Sequence, residues 1–234
     1  MGWGSVVRPR TGVAIAGAVV ALGGAGFGIW NSSWLKLETV QVTGNRHATT
    51  GEVQAAAALS PGMRLTAVSG ARVSARVEGL PWVDVATVTH ILPSRVRIAI
   101  RERTPAFVVQ AGAHSYLVDH SGVVLQEGAT GYPLIAGLPL GVSYPGDHLT
   151  MPAFGAAVKI LDALPADLKP RVGAVSAPSP DVVGLVLTDK TTITYGGAGN
   201  LAEKNYDIVT LLAGGKAYTS IDVRSFTHPA ATPR

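Results

Sequence analysis

Residues 11–30 read TGVAIAGAVVALGGAGFGIW without one charged side chain, and no other stretch narrows the options for this chain so sharply. At helical rise, Val13 to Trp30 cover about 27 Å, close to the roughly 30 Å of a bilayer core. The six glycines between positions 12 and 28 would make a poor soluble helix, because each costs about 1 kcal/mol relative to alanine. A cleaved leader is the competing reading, but the uncharged run exceeds an ordinary signal core and no cleavage site stands out. The expectation is a single-pass anchor carried by Val13, Ile15, Val19, Val20, Leu22, Phe27, Ile29 and Trp30. Arg8 and Arg10 before it hold the short segment 1–10 in the cytoplasm. The bulk of the chain then lies beyond the cytoplasmic (inner) membrane.

Composition agrees with that division. Apolar residues make up 47% of the 234 residues and charged ones 15%, richer in apolar groups than an ordinary soluble domain. The net charge of +4 is mild and is spread without long basic runs, which argues against a nucleic-acid partner. Cysteine is absent, so disulfides, thiolate chemistry and cysteine-ligated metals are excluded.

Beyond the run, the chain reads as α+β. LKLETVQV (35–42) alternates loosely and ends at Thr43-Gly44-Asn45, a strand and a turn. Thr49 and Glu52 have capping-box spacing and open a helix that stops before Ser60-Pro61-Gly62. A second helical pattern covers about 68–79. Strands at 82–91 and 94–103 follow, joined by Leu92-Pro93-Ser94. In the latter, Val96, Ile98 and Ile100 alternate with Arg95, Arg97 and Arg101, giving one buried face and one wet basic face. That makes a β-α-α-β-β module over 35–104.

A second, mixed α/β domain rich in antiparallel strands occupies 105–227. Strands are expected at 107–110, 115–118, 123–125, 171–176, 182–188 and 191–195, and helices at 152–164 and 199–213. SIDVRSF (220–226) reads as the final strand with its outer side unpaired, and 228–234 as a tail.

Chemistry is hard to find. His114, Asp119 and His120 are the one tight cluster of titratable groups, and their spacing matches no metal site. No GxSxG or HExxH occurs. Tyr195-Gly196-Gly197-Ala198-Gly199-Asn200 lacks the ending of a phosphate loop and reads as a turn with Asn200 as N-cap. The chain is therefore expected to be no enzyme, with no metal, no cofactor and no small-molecule substrate.

An ordered series of motifs remains: VQVTGN (40–45), GMRL (62–65), LPWV (80–83), PSRV (93–96), IAIRER (98–103) and Pro105. Leu117-Val118-Asp119 with Gly122-Val123, Gly196 with Lys204, and IDVR (221–224) continue it. Together they resemble the FtsQ/DivIB cell-division family. That resemblance implies an N-terminal transmembrane helix, a POTRA domain and then a β-rich domain outside the cytoplasm, at the division septum. It further implies a scaffold of the divisome that regulates septal peptidoglycan synthesis without doing the chemistry. Its partners would be small bitopic proteins, an FtsB-type chain adding a strand at the last strand and an FtsL-type chain joining through it.

Carried over, the partner edge comprises Ile221, Asp222, Val223, Arg224, Ser225, Phe226 and Thr227, with Arg224 pairing to an acidic partner residue. Ser225 stands where family members often carry an aromatic, and Phe226 follows it; period two would place Phe226 on the opposite face. Arg95, Arg97 and Arg101 are a possible POTRA contact, with an ordinary solvated face as the simpler reading. Two other functions compete: a POTRA-bearing polypeptide-transport component, although no tandem repeat or barrel is visible, and a secreted enzyme with an unrecognised site.

Overall fold

The structure, a computed structural model, describes residues 35–225 and 227–234. The expected anchor (11–30), the segment 1–10 and Phe226 lie outside the described residues. Among the described residues no helix is long and apolar enough to cross a membrane. These residues form two compact units. The first runs from the start of the described chain to Val77 and resumes at Val85–Arg101; the second comprises Glu78–Asp84 and Glu102–Arg234.

The first unit follows the expected order: strand β1 (Thr39–Thr43), helices α1 (Thr50–Ala57) and α2 (Gly70–Val77), then strands β2 (Val83–Ile91) and β3 (Arg95–Glu102), with a 3₁₀ turn at Leu65–Ala67 between the helices. The capping box forms as spelled: the Thr49 hydroxyl accepts the Glu52 N–H at 3.2 Å, and the Glu52 carboxylate accepts the Thr49 N–H at 2.8 Å. Helix α1 ends at Ala58 in the left-handed conformation, and Arg76 of α2 donates to the freed Ala57 carbonyl.

Strand β3 is the middle strand, in the order β1-β3-β2. It pairs in parallel with β1, Val40 opposite Val96 and Val42 opposite Ile98. Parallel neighbours need a crossover, and α1, α2 and β2 supply it. Val96, Ile98 and Ile100 are buried while Arg95, Arg97 and Arg101 are exposed, so the alternation holds residue by residue. Each such buried side chain stabilises the unit by roughly 1.5–3 kcal/mol. Gly44 in the β1 turn has φ +88°, and a Cβ there would lie 2.1 Å from the Ile100 carbonyl oxygen. Any larger residue would part β3 from the turn.

The second unit is built on a nine-stranded sheet in the order β12-β11-β10-β9-β8-β7-β4-β5-β6. Its strands are β4 (Pro105–Ala111), β5 (His114–Asp119), β6 (Val124–Glu127), β7 (Leu134–Ala136), β8 (Val172–Ser179), β9 (Val182–Leu187), β10 (Thr192–Gly196), β11 (Tyr218–Asp222) and β12 (Ala230–Pro233). Hairpins join β4–β5, β5–β6, β8–β9 and β9–β10 as antiparallel pairs. Helix α3 (Pro152–Ala163) bridges the parallel pair β7–β8, and α4 (Leu201–Ala213) the parallel pair β10–β11. Helix α3 packs on β8 and β9 and against α4. The core runs from Phe107 and Val109 through Ile135, Phe154, Ile160, Val175 and Leu185 to Ile208 and Ile221.

Two expectations are corrected here. Residues 228–234, read as a tail, contain strand β12. The last strand read from the sequence ends at Asp222 and not at Phe226, and its outer side is paired by β12.

Candidate partner-binding edge

Strand β11 brings the matched IDVR residues to one end of the large sheet. Its inner side pairs with β10, Ile193 opposite Ile221 and Thr194 opposite Asp222, and the Val223 N–H continues the ladder to the Thr194 carbonyl at 2.9 Å. Ile221 and Val223 are fully buried in the core, so their side chains anchor the strand. Asp222 is half-buried and Arg224 exposed.

The strand stops because Asp222 turns on its own backbone. Its carboxylate accepts the Arg224 N–H at 3.0 Å, an Asx-type turn that competes with further pairing. The same carboxylate receives the Arg224 guanidinium through Nε at 3.0 Å and Nη2 at 2.7 Å. Hydrogen bonding to Arg224 holds the Asp222 carboxyl below its usual range and raises the guanidinium. Arg224, expected to meet an acidic partner group, therefore already has one within its own turn. Ser225 and Thr227 exchange a hydroxyl hydrogen bond at 3.0 Å, and Thr227 bonds His228 at 2.9 Å. Ser225 lies outside β11, which ends at Asp222; the expectation about Phe226 falls on a residue outside those described. Asp222, Arg224, Ser225, His228 and Ala230 line an open depression of about 410 Å³.

Behind the edge lies a buried polar junction. Lys204 of α4 is 4% exposed, and its ammonium donates to the carbonyls of Tyr195 (2.8 Å) and Gly197 (2.9 Å); burial lowers its pKa. The Tyr195 hydroxyl donates to Asn205 at 2.7 Å, and Asn205 donates to the Ala163 carbonyl of α3 at 2.7 Å. Burial pushes the Tyr195 phenol up. Gly196 has φ +68°, and a Cβ there would stand 3.0 Å from Arg224 Cγ, which is why glycine ends β10. Asn200 precedes α4 as expected, but in the left-handed conformation and with no side-chain cap bond.

The other candidates disperse. His114 meets Glu127 at 2.7 Å and His120 meets Asp162 at 2.9 Å. Asp119 accepts Arg103 at 2.9 Å, the Ser121 hydroxyl at 2.8 Å and the Val123 N–H at 2.9 Å. Desolvation pushes the Asp119 carboxyl up, but those three donors outweigh it and hold it low. Among the described residues no group of three His, Asp or Glu could hold a metal. Arg95, Arg97 and Arg101 line the wet face of a central strand and not an edge; Arg97 reaches Gln41 of β1 at 3.5 Å.

Comparison with known proteins decides what the two units are. The POTRA domain, FtsQ-type, matches residues 35–103, and the C-terminal domain of cell division protein FtsQ/DivIB matches 106–224. The chain belongs to the FtsQ/DivIB family. Its first unit is thus a POTRA domain, and its second the FtsQ/DivIB C-terminal domain. The cell division protein FtsQ of Streptomyces collinus is 29% identical over 98% of this chain and 90% of its own length. That of Mycolicibacterium smegmatis is 33% identical over 82% of this chain and 55% of its own length. The FtsQ of Koribacter versatilis is 28% identical over 86% of this chain, which spans 60% of that relative. The FtsQ/DivIB match stops at Arg224, so strand β12 lies beyond it. Sequence reasoning missed β12 altogether, and only the non-local pairing with β11 reveals it.

Proposed function

We propose that this FtsQ/DivIB-family chain is a non-enzymatic, single-pass scaffold of the bacterial divisome at the outer face of the cytoplasmic membrane. Residues 11–30 anchor it with the N-terminus inside. Its β11 end receives an extended segment of an FtsB-type protein, with an FtsL-type protein joining through it, and the assembly regulates septal peptidoglycan synthesis. The observation that carries this reading is that Ile221 and Asp222 of the family-matched IDVR lie on β11, beside the four-residue end strand β12, ordered by the core behind it. Sheet ends are where an added strand gains main-chain hydrogen bonds without rebuilding the fold.

The wet face of β3, with Arg95, Arg97 and Arg101, serves in this reading as solvated surface and not as a second docking site. The test is titration of the full chain in detergent with the outer segment of the FtsB-type protein of the same organism. Saturable binding, together with septal localisation of a fluorescent fusion that is lost on deleting 11–30, is expected. No binding, with the fusion spread evenly over the membrane, would sink the reading.

A further inference from the structure

Strand β1 stands at one end of the POTRA sheet, and its sequence, Thr39-Val40-Gln41-Val42-Thr43, reads the same in both directions. No strand pairs its outer side among the described residues. Two bonds decide which backbone groups face outward. The Thr39 N–H donates to the Ser94 carbonyl, next to β3, at 3.4 Å, and the Gln54 side chain of α1 donates to the Val40 carbonyl at 3.1 Å. Alternation therefore turns the N–H and C=O of Thr39, Gln41 and Thr43 toward β3, and those of Val40 and Val42 away from it.

The open stretch has definite limits. Before it, the Leu37 C=O and N–H are taken by Gly62 and Met63; after it, Gly44 lies against the Ile100 carbonyl of β3. What stays open is the palindrome itself. It has no charge, no proline and no bulge, the devices that keep an edge strand from pairing. Thr39 and Gln41 are exposed, and Val40 and Val42 are half-buried. A groove of about 380 Å³, lined by Leu37, Val40, Gln54, Leu59 and Pro61 among others, opens beside them. The Gln54 amide that touches this row sits on an exposed side chain, and the Val40 carbonyl keeps a second lone pair.

A two-fold contact requires a patch that complements itself, and this edge does so in one register. Laid antiparallel on a second copy, Gln41 meets Gln41, Val40 meets Val42 and Thr39 meets Thr43. The outward groups of Val40 and Val42 then bond each other across the axis, and Val42 of the second copy lies beside Val40 at the groove. We propose that two copies of this chain pair through β1, antiparallel about Gln41, and join their three-stranded POTRA sheets into one. The inference rests on the anchor in the reading above. Five paired residues fall well short of the roughly 1,200 Å² of a stable interface, so confinement supplies the rest. Only Asn31-Ser32-Ser33-Trp34 separates the uncharged run from Leu35, a reach of about 14 Å when extended. Anchored copies therefore carry β1 close to one bilayer surface, where local concentration makes a weak contact count.

The chain contains no cysteine, so a single introduced thiol reports the register without background. Full-length chains carrying one cysteine each are reconstituted into phospholipid vesicles and mildly oxidised. Across the axis Gln41 forms a non-hydrogen-bonded pair, with Cα atoms about 4.5 Å apart and within disulfide reach. Gln41→Cys is expected to cross-link to itself about tenfold faster than Thr39→Cys alone, or than Thr89→Cys, which is exposed on β2. Thr39→Cys and Thr43→Cys chains, mixed, are expected to form a disulfide that neither forms alone. Val42→Pro removes an outward N–H and leaves the ladder to β3 whole; it is expected to return Gln41→Cys to the Thr89→Cys rate.

Equal rates at Thr39, Gln41 and Thr89 show collision alone and overturn the pairing; the anchor reading stands in that case if carbonate leaves the chain in the vesicles. A chain that carbonate strips away removes the anchor and this inference together. Fast self-linking of Thr39→Cys without the mixed product means a different register and overturns the proposal as well. Should circular dichroism show that Val42→Pro does not fold, the mixed disulfide between positions 39 and 43 carries the test.

Discussion

The two ends of the nine-stranded sheet are closed by opposite means. At the β6 end the chain folds back after Tyr144: the Val124 N–H donates to Asp147, and the Gly146 and Leu149 N–H groups donate to Val124 and Gly122. Leu149 is buried in the main core, and the Asp119 carboxylate ties the turn from β5. At the β12 end the closing strand has four residues, of which one alanine reaches the core. One end is sealed by burial, the other by backbone pairing that any other strand could reproduce. A sheet that must resist aggregation and yet receive a strand can assign the two tasks to different ends.

That contrast can be broken most forcefully at Leu149. Leu149→Ala removes a buried side chain and is expected to cost about 2–4 kcal/mol, read as a lower urea midpoint with an unchanged slope. A loss within the scatter of surface substitutions would mean that the β6 end is as loosely held as β12. Asp119→Asn is expected to cost about 1–2 kcal/mol, because Arg103 and two further donors lose a charged acceptor.

The pH dependence has a definite sign. The folded pKa of Asp119 is depressed, so its contribution is present above the unfolded value of about 3.9 and is lost as pH falls through the lower folded value. Acid unfolding followed by circular dichroism is expected to be less steep in Asp119→Asn. Identical profiles would show that Arg103 does not hold this carboxylate in solution.

Ending the chain at His228 is expected to lower stability by about 1 kcal/mol or less, since a few exposed backbone bonds are lost. Amide exchange quickens at Ser220 and Asp222 and stays slow at Val124. A cooperative loss of the whole fold would make β12 a structural strand like any other. Smallest of all, Arg224→Ala is expected to leave the melting temperature unchanged, because its pair with Asp222 is largely solvated. A clear drop would show that the turn itself holds β11 in place.

Much of this architecture is legible in local pattern. The capping box at Thr49 and Glu52, the alternation from Arg95 to Arg101 and the glycine after VQVT each state a local geometry that the fold adopts. What escapes is set by distant residues. Leu134–Ala136 is three residues long between Pro133 and Gly137, too short for periodicity, and becomes a strand because β4 and β8 flank it. AAT (230–232) sits between Pro229 and Pro233 and carries no alternation; pairing with β11 makes it a strand. IDVRSF alternates past its true end because the Asp222 turn is a side-chain event that a hydrophobic pattern does not encode. The strand near the end of the large sheet was therefore readable as a place in the chain, but neither its length nor the strand that pairs it was.

The ammonium of Lys204, enclosed beneath the end of β10, has a last consequence. With the carbonyls of Tyr195 and Gly197 fixed to one buried cation, and Tyr195 tied through Asn205 to the end of α3, the floor on which β11 lies is preorganised. Under the proposed strand addition, a guest strand meets a template whose shape is already set, so association forfeits little conformational entropy on the host side. The ordering that remains belongs to the guest, and the selectivity of the encounter is then decided by how readily that guest becomes straight.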